Sequence, residues 1–203
     1  MPTSPERAPL AEDHAAGGTA LLIIDMLSTW EFPQAEELLA SAEAMAPRLR
    51  ALKHRCRQAG VPVIYANDNQ GRWRSDFRQM VEQAKARGGP GAQIAEWLAP
   101  DADDYFVLKP KHSAFYATPM DLLLRHLHAR RLLLTGVSSD HCVLMTAADA
   151  HMRDYEVWCP ADCMATQSEA REQRVLAHLE GVMGVRTDRS DTLSLPELDG
   201  SGK

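Results

Sequence analysis

Three polar residues of the sequence have side chains suited to acyl-transfer chemistry. Asp25 follows the apolar run TALLII, Lys109 ends the run DYFVLK, and Cys142 lies in TGVSSDHCVLMTAADA, where an apolar run gives way to a helical pattern. A thiol near the start of a helix meets unpaired backbone N–H groups and the positive end of the helix dipole, which favour the thiolate. A carboxylate can accept the thiol proton and pass it to a leaving group, and an ammonium stabilises both anions. The sequence therefore contains the components of a cysteine nucleophile site.

The elements that would position these residues are predicted by apolar runs that alternate with helix-periodic segments. We predict helices between six strands at residues 19–25, 61–67, 104–109, 130–137, 155–160 and 181–187. Pro47 interrupts the first helical segment, so we expect two helices there, or one that is kinked or restarted. Strand–helix alternation is typical of parallel strands covered by helices on both faces. The predicted fold class is therefore α/β: a three-layer α/β/α, Rossmann-like domain with about six mainly parallel strands.

The predicted sheet has a consequence for the three polar residues. Parallel strands place their carboxyl ends at one edge of the sheet, where such proteins bind ligands. Each residue alone has an ordinary explanation: Cys142 as a small buried side chain, Asp25 as a loop cap and Lys109 as solvated surface. Their coincidence at one predicted edge favours an active site.

Composition and charge limit the class of protein. The chain has 203 residues, 45% of them hydrophobic and 25% charged, and a net charge of −6, which argues against a nucleic-acid or membrane surface. No apolar run approaches the roughly 18 residues of a membrane span, and the four cysteines form no CxxC pair. With no export signal, we expect a cytoplasmic protein. We assign residues 1–18 to a flexible leader, 19–189 to a single domain and 190–203 to a tail.

Three motifs carry a resemblance to a known family. They are LLIIDM with Asp25, VLKPKHSAF with Lys109 and TGVSSDHCVLMTAADA with Cys142, and they lie within a matching region of roughly residues 19–187. The chain resembles the isochorismatase-like cysteine hydrolases, which include nicotinamidases and N-carbamoylsarcosine amidase. The resemblance implies a catalytic triad of Asp25, Lys109 and Cys142. The family's lysine stands four residues before SAF, which selects Lys109 over Lys111.

The resemblance also implies how the nucleophile is surrounded. Relatives have a cis peptide just before the nucleophile segment, which here joins Val137 to Ser138. The backbone N–H groups of Ser138 and Cys142 then form the oxyanion hole. Trp30 matches an aromatic position that lines the pocket in relatives, and Tyr116, in the turn after SAF, is assigned to the pocket in the same way.

Two further side chains are candidates for substrate binding. Trp73 lies in the irregular segment after the second strand and is a candidate lid, because a loop tryptophan needs a burial partner. His141 is adjacent to the nucleophile. Ordinary packing is the alternative for each aromatic residue, and simple exposure is the alternative for His141.

A cysteine nucleophile favours hydrolysis of an amide or carbamoyl C–N bond. True isochorismatases cleave a vinyl ether by protonation and need no thiol, so that reaction, with Asp25 as the acid, is the alternative. A catalytically silent small-molecule-binding member of the fold is a third hypothesis. Nicotinamidases bind a metal through an Asp and several His residues after the second strand, where this chain has ANDNQGRWRSDF without histidine. We therefore expect no metal and no cofactor, a small-molecule substrate, a homo-oligomer, and no nucleic-acid or membrane partner.

Overall fold

A computed structural model of the protein describes residues 18–69, 71, 73–74 and 76–195. Within these residues the strands are β1 (Thr19–Ile24), β2 (Val63–Asp68), β3 (Tyr105–Lys109), β4 (Arg131–Val137), β5 (Glu156–Trp158) and β6 (Met164–Ala165). The α-helices are α1 (Ala35–Gln58), α2 (Phe77–Ala86), α3 (Gly89–Trp97), α4 (Met120–His126), α5 (Leu144–His151) and α6 (Glu169–Gly181). A π-helical turn, Ser139–Val143, leads into α5.

The strands form one all-parallel sheet in the order β3-β2-β1-β4-β5, and β6 pairs with the carboxyl end of β4. All six residues of β1 are buried, as expected for a central strand. Leu21 and Ile23 pack into the core beneath α1, α2 and α3, whereas Leu22 and Ile24 pack into the core beneath α4, α5 and α6. Helices therefore cover both faces, which confirms the three-layer α/β/α fold.

Helix α1 continues through Pro47 as one element, so of the expected alternatives the one with two separate helices is wrong. Pro47 lies on the exposed face of α1, and Glu43, whose carbonyl loses its hydrogen-bond donor, is exposed as well. Water can hydrate that carbonyl. The buried residues Ala46 and Leu49 meanwhile continue the apolar face across the proline, and their packing sustains the helix.

The sixth strand lies at Met164–Ala165, not at residues 181–187 as predicted. Helix α6 ends at Gly181, and the chain then turns through Gly184, whose φ is +64°. Only a single bridge, from Arg186 to Trp158, remains of the expected strand in this part of the described chain. The apolar pattern of the segment therefore reflects a helix end and a turn.

Residues 190–193, which the sequence analysis assigned to the tail, pack against the rest of the described structure. Arg55 of α1 donates to the carbonyls of Ser190 and Leu193, each at 2.6 Å, and Leu193 is buried in the core. The proposed leader, apart from Gly18, lies outside the described residues, as do residues 196–203. Among the helices that the structure describes, none is long and apolar enough to cross a membrane.

Candidate active site

Asp25 is positioned by the close approach of β4 to β1. Gly136 pairs with Ile24, and a Cβ atom on Gly136 would lie 2.1 Å from the Ile24 carbonyl oxygen. Gly136 also has a φ of +105°, so only glycine fits at this contact. Asp25 follows Ile24 with a φ of 53°, and its backbone N–H donates to the carbonyl of Ala66 in β2 at 3.0 Å. The turn that presents Asp25 is therefore fixed by both neighbouring strands.

Lys109 lies between the carboxylate and the thiol. Its Nζ is 2.7 Å from Asp25 Oδ2 and 3.5 Å from Cys142 Sγ, and the lysine side chain is completely buried. Asp25 Oδ1 accepts the backbone N–H of Asp68 at 2.7 Å. Lys111 is exposed and approaches Lys109 Nζ with its backbone carbonyl, at 3.4 Å. The structure thus brings Asp25, Lys109 and Cys142 together at the carboxyl edge of the sheet.

Burial and charge set the protonation states of these groups. Burial, reinforced by the Asp25 carboxylate, raises the pKa of the Cys142 thiol well above its usual range, although Lys109 acts in the opposite direction. Burial alone would lower the pKa of Lys109, but the negative charge of the Asp25 carboxylate, with a further contribution from Cys142, outweighs it and holds that pKa above its ordinary value. The resting site therefore holds a thiol and an ammonium. A base must remove the thiol proton before the sulfur can attack.

The π-helical turn that carries Cys142 begins after a cis peptide bond between Val137 and Ser138. The backbone N–H groups of His141 and Val143 both donate to the Ser138 carbonyl, at 3.1 Å. These two bonds close the turn on either side of Cys142. They leave the sulfur at the start of α5, on the cavity side of the turn.

Helix α6 and the segment before it hold the same turn through side chains. Asp140 Oδ1 accepts hydrogen bonds from Ser138 Oγ at 2.9 Å and Thr166 Oγ1 at 2.8 Å, and Asp140 Oδ2 pairs with Arg171. Burial would raise the pKa of Asp140, but these three donors outweigh it and lower that pKa. Asp140 is therefore a carboxylate that fixes the entrance to the nucleophile turn.

A second contact joins α6 to the buried side of the turn. Ser139 Oγ donates to Glu172 Oε2 at 2.8 Å, and Ser139 is completely buried. Burial, with the nearby Asp140 carboxylate, raises the pKa of Glu172, while the Ser139 hydroxyl opposes that shift. Together with the Asp140 contacts, this bond makes α6 the support of the nucleophile turn.

A cavity of about 620 Å³ opens over the triad. Its described lining includes Asp25, Leu27, Ser28, Thr29, Trp30, Glu31, Phe32, Pro33, Leu38, Asn67, Asp68, Met80, His112, Val137, Ser138, His141, Cys142 and Gln167. The walls therefore combine apolar and aromatic side chains with a few polar groups beside the sulfur, as in a small-molecule site.

The structure divides the four predicted substrate-binding residues into two pairs. Trp30 and His141 line the cavity, and Trp30 is packed so closely against α3 that a Cβ atom on Gly91 would lie 2.6 Å from its ring. Trp73 is 85% exposed and Tyr116 is 59% exposed, and neither belongs to the described lining. The structure does not bring Trp73 or Tyr116 to the site.

His112 is a site residue that the sequence analysis missed. Its Nδ1 is 3.8 Å from Cys142 Sγ, and its ring stacks on that of His141 with centroids 3.7 Å apart. The motif VLKPKHSAF contains His112 three residues after Lys109, so the signal was present. Its closeness to the sulfur depends on the path of the loop after β3, which periodicity does not predict.

The remaining cysteines differ from Cys142 in their surroundings. All four are free thiols, and Cys56, Cys159 and Cys163 are buried away from the cavity. Cys142 is the cysteine that lines the cavity. Within the described residues, no group of three or more His, Cys, Asp or Glu side chains is arranged to hold a metal ion.

The fold and the position of the site define the class of protein. The structure resembles that of N-carbamoylsarcosine amidase from Thermoplasma acidophilum with a TM-score of 0.66 and 26% sequence identity, over 87% of this chain and 99% of that one. The sequence matches the isochorismatase domain over residues 19–191. The chain therefore belongs to the isochorismatase family and is a hydrolase.

Two relatives show how far the similarity extends along the chain. The chain is 39% identical over 164 residues to the uncharacterized isochorismatase family protein YaaI of Bacillus subtilis (strain 168), covering 81% of this chain and 90% of that protein. It is 29% identical over 174 residues to enterobactin synthase component B of Escherichia coli (strain K12), of which it spans 59%. Both similarities extend over 81% of this chain. The names of the two relatives differ.

Proposed function

We propose that the protein is a cysteine-dependent hydrolase that cleaves a C–N bond of a small amide or carbamoyl compound through a thioester. The observation that carries this proposal is the position of Lys109 Nζ, 2.7 Å from the Asp25 carboxylate and 3.5 Å from the Cys142 sulfur, beneath a cavity that the thiol lines. A binding protein would have no need for a buried ammonium between a thiol and a carboxylate. A nucleophile requires such partners.

In the acylation step, Asp25 accepts the thiol proton as the Cys142 sulfur attacks the substrate's carbonyl carbon. The backbone N–H groups of Ser138 and Cys142 stabilise the oxyanion of the tetrahedral intermediate. The C–N bond then breaks, Asp25 protonates the departing nitrogen, and the acyl group remains on sulfur as a thioester. Lys109 stays charged throughout, and its positive charge stabilises both the carboxylate and the thiolate.

In the deacylation step, water attacks the thioester carbon, and a base accepts one of its protons. The intermediate collapses with loss of the Cys142 thiolate, which is then reprotonated. The products are the carboxylic or carbamic acid and the resting thiol. The two steps together consume one water for each C–N bond that breaks.

The names of relatives support two reactions. N-carbamoylsarcosine amidase and ureidoacrylate amidohydrolase RutB point to C–N hydrolysis, whereas the isochorismatases point to vinyl-ether cleavage. In the ether reaction Asp25 would protonate the substrate and Cys142 would have no bond to form. Because the thiol lies between the cavity and a buried ammonium, the amide reaction is the proposal and the ether reaction is the alternative.

The proposal is tested by screening small amides, ureido acids, nicotinamide and isochorismate with wild-type, Cys142→Ser and Asp25→Asn proteins. We expect turnover of an amide or ureido compound that both substitutions reduce by about 1,000-fold or more. Because a serine hydroxyl could itself attack, Cys142→Ala decides the contrary cases: amide turnover that survives Cys142→Ala would exclude the nucleophile. Isochorismate cleavage that survives Cys142→Ala and is lost in Asp25→Asn would establish the ether reaction instead.

The partner and location hypotheses remain predictions. A small-molecule substrate agrees with the cavity volume of about 620 Å³, which is within the range of ligand sites. Self-association and a cytoplasmic location are expected and can be measured by sedimentation and by fractionation of cells.

A further inference from the structure

We propose that His112 is the general base of deacylation: its Nδ1 accepts a proton from the water that attacks the thioester on Cys142 and then returns that proton to the sulfur. The inference rests on the thioester proposed above and assigns the base which that second step requires. It concerns a residue outside the Asp25–Lys109–Cys142 triad.

The first argument is position. His112 Nδ1 is 3.8 Å from Cys142 Sγ, and the thioester carbon would be bonded to that sulfur. A water that approaches the carbon from the cavity is then within hydrogen-bonding reach of Nδ1. His112 is exposed and lines the cavity, so water reaches it directly.

The second argument is that the other nearby base is already engaged. Asp25 Oδ2 pairs with Lys109 Nζ, and Asp25 Oδ1 accepts the Asp68 N–H, both at 2.7 Å. Both oxygens of this carboxylate therefore already have a protein donor once Asp25 has given its proton to the departing nitrogen. Within the described part of the chain, the polar contact of the His112 ring is the Cys142 sulfur, so Nδ1 can accept a proton without breaking an ion pair.

The third argument is the charge state of His112. Loss of hydration lowers the pKa of His112 below the ordinary value of 6.5, and the adjacent His141 ring and Lys109 ammonium lower it further. The carboxylates of Asp25 and Asp68 raise that pKa, but by less. The lowered pKa favours the neutral imidazole, which is the form that can accept a proton. The stacked His141 ring, 3.7 Å away, also limits the orientations of the imidazole.

The proton balance closes within the site. Nδ1 accepts one proton as the water oxygen bonds to the thioester carbon, which leaves an imidazolium beside a tetrahedral oxyanion. The C–S bond then breaks and releases the acid and the thiolate. The imidazolium, whose Nδ1 faces Sγ, protonates that thiolate, so both His112 and Cys142 return to their resting states.

The test uses p-nitrophenyl acetate as an acyl donor, because it needs no knowledge of the natural substrate. Release of nitrophenolate in a burst measures acylation of Cys142, and the later steady rate measures deacylation. In His112→Gln we expect a burst rate within about twofold of wild type and a steady rate lower by about 100-fold. Intact-mass measurement should show the acetyl enzyme accumulating in His112→Gln. His178→Gln, an exposed histidine on α6, is the matched control and should behave as wild type.

Two further readouts separate a base from a structural residue. Hydroxylamine attacks thioesters without a general base and should restore rapid turnover in His112→Gln. The wild-type steady rate should fall as the pH drops through the lowered pKa of His112, below 6.5, and His112→Gln should lack that decline. The titratable groups around His112 are Asp25, Asp68, Lys109, His141 and Cys142, and all of them remain in the variant.

Contrary results distinguish the two proposals. A burst that depends on Cys142, with equal steady rates in wild type and His112→Gln, overturns the assignment of His112 and leaves the thioester intact. A burst rate that falls in His112→Gln as much as the steady rate also overturns it. A wild-type protein that shows no burst attributable to Cys142 overturns the thioester proposal, and the role of His112 with it.

Discussion

Lys109 and Asp25 form a buried ion pair, with Nζ 2.7 Å from Oδ2, at the point where the ends of β3 and β1 approach the nucleophile turn. The lysine is completely buried, and its Nζ also lies 3.5 Å from the Cys142 sulfur. A buried ammonium needs partners to remain charged, and the carboxylate supplies the larger part of that stabilisation. The pair therefore places a permanent positive charge beside the sulfur.

Replacing Lys109 should make the thiol less reactive. The ammonium lowers the pKa of Cys142 against burial and Asp25, so Lys109→Met should raise that pKa further. In Lys109→Met, alkylation of Cys142 by iodoacetamide at pH 8 should be about tenfold or more slower than in wild type, as followed by mass spectrometry of the Cys142 peptide. Lys111→Met is the matched control, since Lys111 approaches the site with its backbone carbonyl. Equal alkylation rates in the two variants would contradict the role of Lys109.

Gly136→Ala should destabilise the whole domain. The new Cβ would lie 2.1 Å from the Ile24 carbonyl oxygen, at a φ of +105°, so β4 and β1 must separate where Asp25 begins. We expect a loss of about 3 kcal/mol or more in the free energy of unfolding, measured by urea denaturation. Gly181→Ala, at the end of α6 with nothing within 4 Å of the new atom, should leave stability equal or slightly higher. A mild effect at Gly136 would show that the strands can separate locally.

The contacts of Asp140 should contribute stability that depends on pH. Its pKa is lowered in the folded protein, so the contribution is present above the ordinary value of 3.8 and is lost as the pH falls through the lower, folded value. At pH 7, Asp140→Asn should cost about 2 kcal/mol in urea denaturation, and the difference from wild type should narrow below pH 3. Asp188→Asn, which breaks an exposed pair with Arg186, should change stability by about 0.5 kcal/mol or less. A pH-independent cost at Asp140 would contradict the carboxylate's role.

Substitutions of the two tryptophans that the sequence analysis assigned to the pocket should differ in their kinetic effects. Trp30 lines the cavity, so Trp30→Phe should raise KM by roughly fivefold through lost contact area, about 1 kcal/mol, with a smaller change in kcat. Trp73 is 85% exposed and outside the described lining, so Trp73→Phe should leave both constants near wild type. The measurement is KM and kcat of both variants and of wild type with the best substrate from the screen. A larger KM change in Trp73→Phe would restore the lid hypothesis.

The site residues at strand ends were predictable, because the end of an apolar run indicates where a strand stops. Asp25 and Lys109 follow or end apolar runs, and a parallel sheet brings such residues to one edge. His112 was not predictable in this way, since its position depends on the turns of a loop. Tyr116 shows the opposite case: it is near SAF in sequence, yet its side chain is exposed and outside the described lining.

The elements of the fold also differ in how far they could be predicted from the sequence. The first five strands were predicted from apolar runs that alternate with helix-periodic segments. Strand β6, with two residues, is too short to produce a pattern of its own. Pro47 was expected to interrupt α1, but the burial of Ala46 and Leu49 outweighed the local preference. Tertiary packing, which a single sequence does not display, decided both cases.

The central claim is that Cys142 becomes acylated during turnover, and acid quenching tests it most directly. Wild-type protein mixed with p-nitrophenyl acetate, quenched within the burst and digested, should carry one acetyl group on the peptide that contains Cys142. Neutral hydroxylamine should remove that acetyl group, as it does from a thioester. The corresponding peptide of Cys142→Ser should carry no acetyl group that neutral hydroxylamine removes. An acetyl group found on Cys56, Cys159 or Cys163 instead, or a wild-type peptide without any, would contradict the account.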